Sequence, residues 1–141
     1  SNRFIAMPSY RTRIMGMQMY KYDIKGFLQW GYNFYYDTLS YHVMNPFLCA
    51  DNDCLGAAGD TFSVYPAEDG TAYESIRILL FHDGIQDMRA LKLCENLYGK
   101  EYVVKLLEEG IEPITFSSYP RNADYILNIR EKINAAIKEK I

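Results

Sequence analysis

"GFLQWGYNFYY" (residues 26–36) sets seven large apolar or aromatic side chains beside two glycines, a Gln and an Asn. A buried strand has little use for Gln29 and Asn33. A surface loop has little use for Trp30, Tyr32, Phe34, Tyr35 and Tyr36. Side chains alternate along a strand. A strand over 27–33 therefore turns Phe27, Gln29, Gly31 and Asn33 to one side and Leu28, Trp30 and Tyr32 to the other. "TFSVY" (61–65) sorts in the same way, with Thr61, Ser63 and Tyr65 opposite Phe62 and Val64. Each strand then has one apolar and one mixed face. That predicts a wall with helices behind and a wet pocket in front, as at the mouth of a barrel. Gln29 and Asn33 face the pocket, Leu28 packs behind, and the aromatics after Asn33 form the lip. A half-exposed antiparallel sheet is the alternative.

Helices account for much of the remainder. Met7-Pro8-Ser9 and the residues after them read as one helix, with Ile14, Met17 and Tyr20 or Lys21 at helical spacing and Gly26 breaking it. "PAEDGTAY" reads as a turn-rich loop around Asp69-Gly70. A long helix runs from about Glu74 to Tyr98, with Gly84 a soft spot inside it. "KEYVVKLLEE" makes a short helix closed by Gly110. In the last helix Asn122 is the N-cap, and Ile126, Ile129, Ile133 and Ile141 recur at helical spacing. Two short strands separated by a long connection favour parallel pairing covered by helices. The expected class is α/β, the C-terminal portion of a (β/α)8-type barrel with two short strands and about four helices. A chain that starts with Ser rather than Met reads as processed or as a piece of something longer.

Composition narrows the function. The net charge of −3 offers nucleic acid or an anionic membrane no electrostatic attraction, and the longest aliphatic or aromatic run, Ile78 to Phe81, is far too short to span a bilayer. The 15% aromatic content, with 13 Tyr, suits binding in which a ring face stacks while its hydroxyl stays wet. Cys49 and Cys54 would close a small loop in an oxidising compartment; the plainer reading is free buried thiols.

Several motifs fail on inspection. "DNDCLG" starts like a calcium loop, but Phe62 stands where a bidentate Glu is needed, so an Asx-rich turn is expected instead. His42, Cys49 and Cys54 lack zinc spacing, and no metal or cofactor is expected. Asp83 and Asp87 lie one helical turn apart. Paired carboxylates are a glycosidase ingredient, but two on one helix more often bond local Arg and backbone groups. His82 and Asp83 diverge on a helix.

"NRFIAMPSYRTRIMGMQMYKYDIKGFLQWGYN", "GDTFSVYP" and "ESIRILLFHDGIQDMRAL" together resemble the C-terminal region of glycoside hydrolase family 123 proteins, termed domain of unknown function 4091. The likeness covers residues 2 to 94. It implies a (β/α)8-type catalytic domain acting on N-acetylhexosaminides, N-acetylgalactosamine among them. The implied mechanism is substrate-assisted: the acetamido oxygen attacks the anomeric carbon, an Asp orients the acetamide, and a neighbouring Glu is the general acid/base. This chain has no Asp-Glu dipeptide, so that pair is expected upstream and no catalytic residue is assigned here.

The residues matched to the motifs are Trp30 and Asn33 at the strand end, Tyr65 in Val-Tyr-Pro, Asp60 as a structural group, and Arg77 and Asp83 holding helix to barrel. Asn33, Tyr65, Trp30, Tyr32 and Gln29 are the expected sugar-binding residues. Residues 1–98 would carry the partial barrel and 99–141 the C-terminal helices packed on it, as one unit. Expected partners are a glycan and the rest of the barrel, with self-association through exposed strand edges; secretion or a periplasmic location follows from the resemblance alone. The rival function is a non-catalytic carbohydrate-binding or structural domain.

Overall fold

A computed structural model describes residues 2–141. In chain order the elements are α1 (Ser9–Arg13), α2 (Met15–Lys21), β1 (Val64–Pro66), β2 (Ala72–Glu74), α3 (Ile76–Tyr98), α4 (Lys100–Leu107) and α5 (Ala123–Lys138). This mixed content agrees with the α/β class. Among the described residues no helix is long and apolar enough to cross a membrane. The chain forms two compact units. One runs from the N-terminus to Pro8 and resumes over Phe27–Leu80; the other comprises Ser9–Gly26 and Phe81–Ile141.

The helical unit is built around the predicted apolar positions. Ile14, Met17 and Tyr20 bury with Leu91 and Cys94 of α3, Val103 and Leu107 of α4, and Ile126, Ile129 and Ile133 of α5. Each fully buried side chain of this size contributes about 1.5–3 kcal/mol. Asn122 caps α5, its side chain accepting the Tyr125 N–H at 2.8 Å. The first predicted helix differs in two respects. It is interrupted at Ile14, and it ends at Lys21 rather than at Gly26. Asp23 takes the left-handed position (φ 56°), while Ile24 N–H bonds Met19 O and Asp23 N–H bonds Tyr20 O. This pair of bonds closes a helix end, and Asp23 fills the position usually held by glycine.

Gly84 proves to be a contact point rather than a soft spot. A Cβ on Gly16 would lie 1.9 Å from Gly84 O, and one on Gly84 would lie 3.0 Å from Arg13 O. Backbone therefore meets backbone where α2 crosses α3. Nearby, Asp87 is only 1% exposed and accepts Arg13 Nε at 2.7 Å and Nη2 at 3.1 Å, and Arg130 Nη1 at 2.8 Å. The carboxylate favours the charged Arg13 guanidinium and raises its pKa against the opposing effect of burial. Asp83 reaches Arg13 only at 3.6 Å. The structural reading of the two aspartates holds, but their arginine partners come from distant helices rather than from their own.

The other unit departs most from expectation. No strand forms over 27–33. Gly31 adopts φ +77°, and a Cβ there would sit 2.3 Å from Asp60 O, so the chain turns at that point and is crossed by the 60–61 backbone. Leu28, expected behind the wall, is 84% exposed. What remains is an isolated bridge between Asn33 and Phe62, antiparallel rather than parallel, with Phe34 N–H to Thr61 O (3.0 Å) and Ser63 N–H to Tyr32 O (2.8 Å). The strand predicted over 61–65 is displaced to β1, which pairs antiparallel with β2 in the register Tyr65 with Tyr73. "PAEDGTAY" is thus half loop and half strand: a hairpin whose Asp69 accepts both the N–H and the hydroxyl of Thr71, with Gly70 at φ +83°. Phe62 and Val64 are buried, but so are Thr61 and Ser63, which were expected to face a wet pocket.

Asn52 explains why Thr61 is buried. It is 1% exposed, donates to Phe34 O at 3.1 Å and Tyr36 O at 2.8 Å, and accepts the Thr61 hydroxyl at 2.8 Å. It opens a left-handed turn in which Asn52, Asp53 and Cys54 have φ of 49°, 57° and 65°. Cys54 is exposed there, not buried, while Cys49 is partly buried and bonds Asp51 at 3.3 Å. Ser75, just before α3, and Arg77, in its first turn, are buried. Arg77 donates to Arg3 O (3.2 Å) and Gly59 O, and Ser75 to Ser63 O.

Gly16→Ala is expected to lower stability by about 3 kcal/mol in chemical denaturation followed by helical circular dichroism. Gly26→Ala, with nothing within 4 Å of the new carbon, stays within about 0.5 kcal/mol. Asn52→Ala strands three polar partners and adds left-handed strain, for a loss of about 3 kcal/mol. Fluorescence of Trp30, the chain's single tryptophan, reads that loss out in the non-helical unit.

Candidate functional site

A hollow of about 270 Å³ opens between the 32–35 segment and the β1–β2 hairpin, lined by Tyr32, Asn33, Tyr35, Val64, Tyr65, Pro66, Ala67, Gly70, Thr71 and Ala72. Three of the five expected sugar-binding residues, Tyr32, Asn33 and Tyr65, meet in it. They come together because the Asn33–Phe62 bridge fixes one segment against the other and β2 folds back to close the far side. Its volume falls just short of the range of ligand pockets, about 300 Å³ and upward, and its character matches theirs: apolar walls with a few placed polar groups.

Tyr65 is the most firmly held of the three. Phe62 meets its ring edge-on with centroids 5.0 Å apart and an interplanar angle of 70°, and Phe47 lies 5.0 Å away at 32°. Tyr35 stands beside it, donating its hydroxyl to Val64 O at 2.8 Å. Burial raises the Tyr35 pKa, with smaller contributions from the neighbouring Tyr32 and Tyr65 phenols. Three phenols therefore converge. A phenol hydroxyl both donates and accepts, and the ring faces offer apolar area. Thr71 at the turn has its hydroxyl committed to Asp69, whose pKa is lowered mainly by that bond.

Trp30 and Gln29 do not line the hollow. Trp30 is 40% exposed and packs at a tilt on Phe34, centroids 6.0 Å apart; Phe34 in turn lies 5.6 Å from Tyr36. Gln29 donates to Trp30 O at 3.1 Å, and its Oε1 is buried without a hydrogen-bond partner. The turn at Gly31 separates these two residues from Asn33, so the alternation that grouped Gln29 with Asn33 does not hold across it. Asp60 is structural, accepting Asn2 Nδ2 at 2.6 Å.

Two contributors were missed in the sequence. Tyr35 shares parity with Asn33, a signal that would have placed it in the pocket instead of at the lip. The turn residues Ala67 to Thr71 carry Asp69-Gly70, a hairpin dipeptide that was read only as loop. A second hollow, about 750 Å³, lies in the helical unit between α4 and α5, where Lys132 and Glu109 pair at 2.6 Å. None of the expected residues borders it.

The geometry is that of a small binding pocket whose lining carries hydroxyls and one carboxamide and no carboxylate. Against curated proteins the chain finds no match. The family profile described as glycoside hydrolase 123, catalytic domain, matches residues 1–94, which include every residue of the pocket. This chain therefore belongs to the glycoside hydrolase 123 catalytic-domain family.

Proposed function

We propose that this chain supplies part of the sugar-binding wall of a glycoside hydrolase acting on N-acetylhexosaminides, N-acetylgalactosaminides in particular, within a (β/α)8-type catalytic domain. The observation that carries the reading is that Asn33 and Tyr65, from two separate sequence motifs, border one hollow together with Tyr32. An N-acetylhexosaminide presents an apolar ring face, several hydroxyls and an acetamide. Tyr65 and Tyr32 offer ring surface and hydroxyls. The Asn33 carboxamide both donates and accepts, and so pairs with a hydroxyl or with the acetamide. Trp30 would extend the aromatic edge, whereas the Gln29 oxygen, buried, is closed to a ligand.

In substrate-assisted cleavage the acetamido oxygen bonds to the anomeric carbon as the glycosidic bond breaks, and a general acid protonates the leaving oxygen. Holding the acetamide in line supplies part of the barrier reduction through orientation alone. The lining has no carboxylate, and the chain has no Asp-Glu dipeptide, Glu68-Asp69 being the reverse order in a Gly-containing turn, so the acid and orienting groups are assigned to residues outside these 141. Taken by themselves, the 141 residues would bind without cleaving. Secretion or a periplasmic location accompanies this reading on the strength of the family resemblance alone.

A carbohydrate-binding role without hydrolysis is the second reading, and the carboxylate-free lining favours it. Hydrolysis of an aryl N-acetylgalactosaminide by the intact parent polypeptide separates the two. If the first reading is right, Asn33→Ala and Tyr65→Phe each lower kcat/KM by about tenfold or more, roughly 1.4 kcal/mol of transition-state stabilisation. Unchanged kcat/KM in both variants removes the site assignment. Binding with no turnover in the unaltered protein selects the second reading.

A further inference from the structure

Neither reading of the pocket gives the buried Arg77 a task. Its side chain is enclosed, with the residue 5% exposed, and its guanidinium donates to two neutral carbonyls, Arg3 O at 3.2 Å and Gly59 O. Burying a guanidinium is costly, and an apolar side chain of similar volume often stabilises a core as well or better. Packing alone therefore does not account for an arginine here. A guanidinium offers what an aliphatic chain cannot: a flat, charged plate that stacks on a ring and is fixed in its plane by forked donors.

In this protein both bonds come from one nitrogen, Nη1, and Nη2 is buried without a hydrogen-bond partner. Gly59 has φ +79°, and a Cβ on it would come within 2.7 Å of Arg77 Nη1, so only glycine allows the carbonyl to approach the guanidinium this closely. Arg77 Cζ lies 5.5 Å from the centroid of the fully buried Phe62 ring, within cation–π range. Phe62 in turn meets Tyr65 edge-on at 5.0 Å and 70°. Phe47, on the same tyrosine, is 58% exposed and has room to move. The buried support of Tyr65 is thus Phe62, whose ring lies against Arg77 and, at 6.0 Å between centroids, against Tyr35. Burial lowers the Arg77 pKa from the ordinary arginine value, and the Tyr65 phenol, through charge and a side-chain hydrogen bond, is the first group to offset it, ahead of Asp60, so the guanidinium also acts on Tyr65 directly.

We propose that Arg77 is a positioning residue for the pocket: by its own contact and through Phe62 it sets the angle at which Tyr65 meets a bound sugar. The proposal rests on the reading of the hollow as a sugar site, and it is tested by two measurements on the 141-residue chain, one of which needs no ligand. In tyrosine-selective NMR, Arg77→Lys keeps the charge and one donor but loses the plate. The Tyr65 ring resonances are expected to shift, while those of Tyr41 in the same unit and Tyr125 in the other stay in place. Phe62→Leu removes the intervening ring and is expected to shift the same resonances; it serves if the lysine variant does not fold. Unmoved Tyr65 resonances in a folded variant overturn the proposal.

The second measurement titrates N-acetylgalactosamine. Arg77→Lys is expected to weaken binding several-fold in the unaltered background and by less than twofold when Tyr65 is already Phe, because the two act through one group. Equal losses in both backgrounds overturn the proposal by showing that Arg77 acts elsewhere. A Tyr65 signal that never responds to the sugar in the unaltered chain overturns the sugar reading instead, and the ligand-free shift still decides the positioning role.

Discussion

The carboxamide of Asn52 is the constraint on which the pocket-bearing unit depends. It satisfies Phe34 O and Tyr36 O on one side and the Thr61 hydroxyl on the other. Without a continuous sheet to pair these backbones, buried carbonyls would otherwise be left unsatisfied at about 1–3 kcal/mol each. One side chain therefore does what a strand ladder does elsewhere. Asparagine suits the position on two counts, since it carries donors and an acceptor together and tolerates the left-handed φ of 49° better than most residues. The two residues after it share that handedness. A left-handed turn of three such residues costs roughly 1–2 kcal/mol per residue, and the hydrogen bonds of Asn52 offset part of this.

Around that anchor the hollow is assembled from pieces that are individually weak. The Asn33–Phe62 bridge is a single pairing and β1–β2 is three residues long on each side. Their stability comes from what lies beneath. Phe62 and Val64 are buried, Ser75 bonds Ser63 O, and Arg77 fixes the 59 and 3 carbonyls. A sugar site gains from this arrangement, because Tyr65 and Asn33 are presented by backbone that tertiary bonds hold from behind. The helical unit is stabilised differently, by an aliphatic core and by one buried aspartate shared between two arginines, and it leaves α4 and α5 outside the region matched to the family.

Much was legible without coordinates. Apolar spacing located α5 and its Asn122 cap, as well as α3 and α4, because helices are specified by contacts between residues a few positions apart. The three ordered motifs pointed to the family for a comparable reason: each is a local string. Asn33, Tyr65 and Tyr32 were singled out and do border one hollow. Alternation worked within the 61–65 segment to the extent of burying Phe62 and Val64, and it failed for Thr61 and Ser63 because a remote amide and a close-lying carbonyl made polar burial affordable.

What the amino-acid string determined alone was therefore whatever short-range periodicity and motif order encode: the existence of the helices, the Asn122 cap and the family. Tertiary structure decided the rest. The path of 26–36 turns on Gly31 being pressed against Asp60 O, the antiparallel bridge to Phe62 depends on residues far along the chain, and Asp87 finds Arg13 and Arg130 rather than a neighbour in its own helix. Each of these is a close approach between remote segments. No local pattern records such an approach, because its energy arises only when both segments are already in place.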